Sequence, residues 1–120
     1  MIKVGTDIVS VDRIQKSIDR FGNRFLTKFL NPLEIPVAPK TASIAGLWAS
    51  KEAISKALGC GIGSKLGFYD ITIYKDNSGA PYFVLSDRAK ERFDIVSSSL
   101  SISHDGGFAI AVVVLELKNA

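Results

Sequence analysis

The chain has 120 residues, 47% of them hydrophobic and 22% charged. That fits a single ordinary soluble domain, large enough to bury about two-thirds of its unfolded surface. No apolar run reaches the roughly 18 residues that a membrane-spanning helix needs, and Asp7 stands where a signal peptide would require an apolar stretch. A single cysteine, Cys60, excludes an intrachain disulfide and a Cys/His zinc cluster, so the expected setting is the cytoplasm. The formal charge of +3 favours acidic partners without identifying nucleic acid.

Ile2 and Val4 alternate with polar neighbours and predict a strand that continues through Gly5-Thr6-Asp7. Asp7 is then a carboxylate within an apolar strand or at its end, where an Asx-turn or a helix cap is the plain alternative. Ser10 is the expected cap of a helix over 11–21, with Ile14, Ile18 and Phe21 on one face and Gly22 as its stop. Asn23 is placed to cap a second short helix holding Phe25, Leu26, Phe29 and Leu30. Outward on these helices lie Arg13, Lys16, Arg20, Arg24 and Lys28, opposed only by Asp12 and Asp19. Such a ridge is either a solvated face or a dock for an acidic helix. No stacking aromatics are interleaved with it, which weighs against single-stranded nucleic acid. Pro32, Pro36 and Pro39 make 31–40 an ordered connection rather than a helix.

A long helix over 41–59 follows, Ala-rich and broken only by Gly46. Ile44, Leu47, Trp48, Ile54 and Leu58 form a broad apolar stripe, and alanines cover most of the rest, so the helix is expected to be buried. Lys51, Glu52, Ser55 and Lys56 interrupt it, and buried charge is costly unless paired or ligating. Glu52, Lys56 and Gly59 share a face, where a surface Glu–Lys pair is the plain reading. The glycines of Gly59-Cys60-Gly61-Ile62-Gly63 follow a helix rather than precede one, so they are not a Rossmann or P-loop signature.

Beyond this the chain is strand-like: 68–75, a turn at Asp76-Asn77-Ser78-Gly79, and a return over 81–85. Ser86 caps a short helix. Residues 99–104 and 108–117 form a second hairpin about Asp105-Gly106-Gly107. The expected fold is α+β, a mostly antiparallel sheet packed on one long central helix with short N-terminal helices, in one domain over 1–120. His104, the lone histidine, has a surface turn as its default, with donation to a phosphate or ribose as its better use.

Two separated stretches combine into something more specific. Val4-Gly5-Thr6-Asp7, then about forty residues on Trp48-Ala49-Ser50-Lys51-Glu52-Ala53-Ile54-Ser55-Lys56, resembles the bipartite signature of the 4′-phosphopantetheinyl transferases. The match is to the short bacterial holo-acyl-carrier-protein synthase class. It continues through Ala57-Leu58-Gly59-Cys60-Gly61-Ile62-Gly63, the Asp70-Ile71 strand, the hairpin from Asn77 to Pro81, and Ser101-Ile102-Ser103-His104.

The resemblance implies transfer of the phosphopantetheine arm of coenzyme A to a serine of apo acyl carrier protein, in fatty acid biosynthesis. Asp7 and Glu52 would hold Mg2+, Lys56 would meet charge on the leaving phosphate, and the base would be either Glu52, directly or through a metal-bound water, or a water activated by the metal alone. Lys51, Ser55, Gly59, Gly63, Pro81, Ser103 and His104 would line the coenzyme site, the last three from a neighbouring subunit of a homotrimer with sites at its interfaces. Arg13, with Arg20 and Arg24, would meet the acidic carrier. Lys51, amid the apolar stripe, would need a neighbouring chain or a phosphate to satisfy it. Leu47 stands where many relatives carry a basic residue, and Lys40 is the candidate replacement. The competing readings are a non-catalytic basic binding module and a broad-specificity transferase acting on other synthase carriers.

Overall fold

The structure, a computed structural model, describes residues 1–35 and 40–118; Pro36 and Pro39 of the expected connection lie outside the described residues. Strand β1 (Ile2–Ser10) runs directly into helix α1 (Val11–Phe21), then α2 (Asn23–Phe29) and the central helix α3 (Thr41–Ala57). A 3-10 turn (Phe68–Asp70) leads into β2 (Ile71–Lys75) and β3 (Pro81–Leu85), followed by α4 (Asp87–Arg92), β4 (Ile95–Asp105) and β5 (Phe108–Leu117).

All strand pairing is antiparallel, but the strands divide into two sheets, ordered β1-β5-β4 and β2-β3, where the sequence predicts one. Alternation reveals which face of a strand is buried, not which strand lies beside it. The start of the first hairpin also differs. The Asp70 carboxylate accepts from the Gly67 N–H at 2.8 Å and curls Phe68–Asp70 into a 3-10 turn, so the strand begins at Ile71.

Side-chain alternation along β5 divides the three-stranded sheet. Ala109, Ala111, Val113 and Leu115 are buried under α3, while Phe108, Ile110, Val112 and Val114 face outward. Small residues line both sides of the contact with α3, whose Ala45, Ala49 and Ala53 are fully buried. The closest approach is at Gly5, where an added Cβ would stand 1.9 Å from the Ala53 carbonyl oxygen. Gly46 makes the corresponding approach to Ile102 on β4, so α3 crosses the sheet from the β4 edge to the β1 edge. Its other side carries Trp48 into a cluster with Phe25, Phe29 and Phe68, ring centroids 5.0–5.9 Å from Trp48. Complete burial of a side chain such as Phe29 or Ile54 stabilises the fold by about 1.5–3 kcal/mol each.

The ends of the helices follow local chemistry. Ser10 Oγ accepts from the Arg13 N–H at 3.2 Å and Ser86 Oγ from the Ala89 N–H at 3.3 Å, both as N-caps. Asn23 is not a cap. Gly22, at φ 55°, ends α1 and leads straight into α2, so Asn23 is already the first helical residue.

Candidate active site

At the β1 edge, the two halves of the bipartite motif meet. Asp7 is paired with Ala111 in mid-strand, so it is neither an Asx-turn nor a helix cap. It shares the helix-facing side of β1 with Gly5, whose missing Cβ lets the strand lie against the α3 backbone. Lys56 Nζ donates to Asp7 Oδ1 at 2.8 Å and to the Thr6 carbonyl at 3.2 Å. The surface Glu52–Lys56 pair suggested by helical spacing is thus replaced by a pair across two elements, with the Asp7 side chain 15% exposed and that of Lys56 52%.

Glu52, half-buried one turn before Lys56, has its carboxyl pushed above the usual glutamate range. Burial is the main cause and the Asp7 charge the next; Lys56 and Arg13 pull the other way. Asp7, Glu52 and Lys56 therefore interact where β1 lies against the C-terminal half of α3, and the Arg13 charge of α1 acts on Glu52. Among the described residues no three His, Cys, Asp or Glu cluster together. Asp7 and Glu52 are the donors this edge offers to a cation, and a cation there would relieve the repulsion that raises Glu52.

The glycine segment wraps the C-terminus of α3 beside Lys56. The Gly59 N–H donates to the Lys56 carbonyl at 3.0 Å, and those of Cys60 and Gly61 both donate to the Ser55 carbonyl at 3.2 Å. Gly63 closes the segment through its N–H to the Leu66 carbonyl at 2.9 Å. Farther along, Arg88 holds the Ser64 carbonyl at 3.2 Å while gripping Asp70 through Oδ2 at 2.7 Å and Oδ1 at 3.2 Å. That guanidinium, aided by Ser86 and the Gly67 N–H, holds the Asp70 carboxyl well below the usual carboxylate range.

Two residues expected to line the coenzyme site have partners within their own chain. Lys51 is fully buried, and its three ammonium hydrogens are matched by the Phe29 carbonyl at 2.6 Å, Glu34 Oε1 at 2.8 Å and the Phe68 carbonyl at 3.0 Å. It is satisfied within its own chain and has no hydrogen left for a phosphate. Ser55, also fully buried, turns its hydroxyl back to the Glu52 carbonyl at 2.7 Å.

Pro81 and His104 lie at the other edge of the three-stranded sheet. There a cleft of about 180 Å³ is lined by Leu47, Lys75, Pro81, Ile102 and His104, among others. His104 shares the α3 face of β4 with Ile102, in the row Val9–Ala109–His104. Ser103 is exposed and alternates onto the outer face opposite Ile110, away from the cleft. Lys40, exposed, precedes α3 as its N-cap. The Asp7–Glu52–Lys56 group and the His104 cleft therefore lie at opposite edges of one three-stranded sheet.

Arg13, Arg20 and Arg24 are all exposed. Arg13, Lys16, Arg20 and Phe21 line a shallow groove, and Phe21, Arg24 and Lys28 line a second beside it. The Arg20 guanidinium stands 5.1 Å above the ring of Phe21, which is 47% exposed. Sequence reasoning gave no role to Lys75, which lines the cleft, or to Glu34, which pairs with Lys51, and it placed Phe21 on the apolar face of α1 although its ring is exposed.

Comparison with known proteins shows the family. The family model described as the 4′-phosphopantetheinyl transferase superfamily matches residues 3–113. Holo-[acyl-carrier-protein] synthase of Sulfurovum sp. is 56% identical over 119 residues, covering 99% of this chain and 100% of the relative. The enzyme of that name from Wolinella succinogenes is 54% identical, covering 98% and 99%. Among solved structures, Helicobacter pylori holo-[acyl-carrier-protein] synthase in complex with coenzyme A superposes with a TM-score of 0.91 at 53% identity, covering 94% of this chain and 99% of that one. The synthase of Neisseria meningitidis gives 0.87 at 38% identity, covering 97% and 99%. The chain belongs to the 4′-phosphopantetheinyl transferase superfamily and is an enzyme of that class.

Proposed function

We propose that the chain transfers 4′-phosphopantetheine from coenzyme A to a serine hydroxyl of an acyl carrier protein, releasing adenosine 3′,5′-bisphosphate. The observation that carries this reading is the convergence of Asp7, Glu52 and Lys56, two motif halves far apart in sequence, at one partly exposed edge. The donor set suits Mg2+, which takes one or two protein carboxylates and completes its shell with phosphate oxygens and water. Bound between Asp7 and Glu52, the ion would neutralise charge on the diphosphate of coenzyme A.

The chain's own residues account for the proton and the charge. Glu52 takes the proton of the serine hydroxyl, directly or through one water. The serine oxygen bonds to the β-phosphorus as the bond from that phosphorus to the bridging oxygen breaks. The leaving phosphate carries away the electron pair, and the Lys56 ammonium meets its charge. Positioning and charge stabilisation, rather than covalent catalysis, supply the rate.

The outward face of the sheet supports a homo-oligomer, read here as a trimer with sites at its interfaces. Ile2 and Val4 are 62% exposed there, beside outward-facing Ile8, Phe108, Ile110, Val112 and Val114. A contiguous apolar face on a domain this size calls for a cover, and a second copy would also bring the Pro81–His104 edge of one chain toward the Asp7–Glu52 edge of the next. The nucleotide end of coenzyme A would then lie in the cleft of one chain while its diphosphate reaches the carboxylates of its neighbour. Arg13, Arg20 and Arg24, with Phe21 among them, suit an acidic amphipathic helix on the carrier. No helix among the described residues is long and apolar enough to cross a membrane. We place the enzyme in the cytoplasm, acting in fatty acid biosynthesis.

Incubating the protein with coenzyme A, Mg2+ and an apo carrier protein tests the reading, with the carrier followed by mass. The expected result is a carrier heavier by one phosphopantetheine arm, and only when Mg2+ is present. Salt-sensitive binding of the carrier with no mass gain would favour a non-catalytic binding module instead.

A further inference from the structure

The buried Lys51–Glu34 pair has no part in the chemistry, yet it joins five segments of the chain. Lys51 on α3 holds Phe29 at the end of α2, Glu34 in the turn that follows, and Phe68 in the 3-10 turn. Glu34 Oε1 also accepts from the Asn31 N–H at 3.0 Å, and its Oε2 accepts from the Ile73 N–H of β2 at 2.9 Å. Both side chains are fully buried. Well-packed apolar residues in their place would often be as stable or more so, so net stability is a weak reason for such a pair; fixing one arrangement among several is a better one.

What it fixes is the β2–β3 hairpin. That hairpin shares no backbone ladder with the three-stranded sheet. Two residues beyond Ile73, Lys75 pairs with Pro81, and both line the cleft opposite Leu47 of α3 and His104 of β4. The tie to Ile73 therefore sets where one wall of the cleft stands relative to α3, the helix that also carries Glu52 and Lys56.

We propose that Lys51 and Glu34 are positioning residues that hold the β2–β3 hairpin against α3 and so set the cleft for coenzyme A. This rests on the coenzyme reading given above. The pair acts on the affinity for coenzyme A rather than on the chemical step.

The test compares the full-length wild type with Glu34→Asp, which keeps the charge one methylene short, and with the double variant Glu34→Gln/Lys51→Met, which removes both charges. Coenzyme A binding is measured by calorimetry, kcat and KM by the mass assay, and stability by thermal unfolding. Both variants are expected to bind coenzyme A about tenfold more weakly or worse, with kcat at saturating coenzyme A within about threefold of wild type. The double variant should melt below the wild-type temperature, because it leaves the Phe29 and Phe68 carbonyls and one of the Asn31 and Ile73 N–H groups without partners. Wild-type affinity in a folded variant of either kind would overturn the tether, as would a lowered kcat at unchanged affinity. If the double variant does not fold, Glu34→Asp decides. Wild-type protein that bound no coenzyme A would overturn the reading of the cleft itself, and the tether with it.

Discussion

Gly5 of β1 and Ala53 of α3 are in backbone contact. A Cβ on Gly5 would stand 1.9 Å from the Ala53 carbonyl oxygen and 2.8 Å from the Ala57 nitrogen. Neither neighbour is a side chain that can swing aside, so strand and helix must separate to admit even a methyl group. Asp7 lies two residues further along β1, and its partner Lys56 three residues beyond Ala53. Gly5→Ala is expected to destabilise the fold by about 1–3 kcal/mol or more and to lower turnover with it. Urea unfolding measures the first and the mass assay the second; an unchanged midpoint would show that the helix gives way freely.

Glu52→Gln separates function from stability. The Glu52 carboxyl is raised above its ordinary range, so the folded state holds that proton more tightly than the unfolded state does. Stability then falls as pH rises from the ordinary glutamate range through the raised value, and the deficit persists at neutral pH. The neutral glutamine lacks that deficit. In metal-free buffer Glu52→Gln is therefore expected to melt higher than wild type at pH 7, with the gap closing below the ordinary glutamate range, while transfer is abolished. A variant less stable than wild type at pH 7 would contradict the burial and repulsion argument, and near-normal turnover would remove Glu52 from the site.

Lys56→Met should do the reverse. Its ion pair with Asp7 is half-exposed, so its loss is expected to cost about 1 kcal/mol or less in stability. A charge aimed at a developing phosphate anion matters far more to the barrier, and turnover should fall about a hundredfold or more. Comparable melting temperatures with a collapsed kcat would bear this out; a large stability loss with modest kinetic change would make Lys56 structural.

How legible these parts are in the sequence depends on how local they are. Ser10 and Gly22 mark the ends of α1 because capping is decided within a few residues. The Gly5–Asp7 and Glu52–Lys56 segments are recognisable because each is short and their types are chemically unusual in apolar surroundings. The choice of partners is not local. Helical spacing offers Glu52 to Lys56, yet strand β1 brings Asp7 nearer. Nothing within ten residues of Lys51 reveals that Glu34 satisfies it, since that bond depends on how the turn after α2 folds over α3. The division into two sheets is equally non-local, because period-two alternation is the same whichever strand lies alongside.

Arg13→Ala tests the basic ridge. Arg13 is exposed in the groove with Arg20 and Phe21, and its charge also acts on Glu52. The variant is expected to raise the KM for the carrier severalfold and to weaken its salt dependence, leaving coenzyme A affinity nearly unchanged, because exposed charges act mainly on encounter. Equal loss toward both substrates would move Arg13 from the docking surface into the coenzyme site.

The proposed shared site makes a stronger prediction, because its Asp7–Glu52 and Pro81–His104 parts lie at opposite edges of one sheet. If each working site joins the Asp7–Glu52 edge of one copy to the Pro81–His104 edge of another, two crippled chains can repair each other. A chain with Glu52→Gln keeps an intact cleft, and a chain with His104→Ala keeps intact carboxylates. Unfolded together and refolded at equal amounts, they should form sites of which about one in four pairs a good Glu52 with a good His104, whatever the number of subunits in a closed ring. Turnover of the mixture should then approach a quarter of wild type, well above the mean of the two variants assayed alone. The chain with both substitutions, refolded with wild type, also leaves about one site in four intact, so equal activity in the two mixtures checks random assembly. Activity no higher than that mean would mean that each chain completes its own site, and the assignment of the cleft to the neighbouring copy would fall.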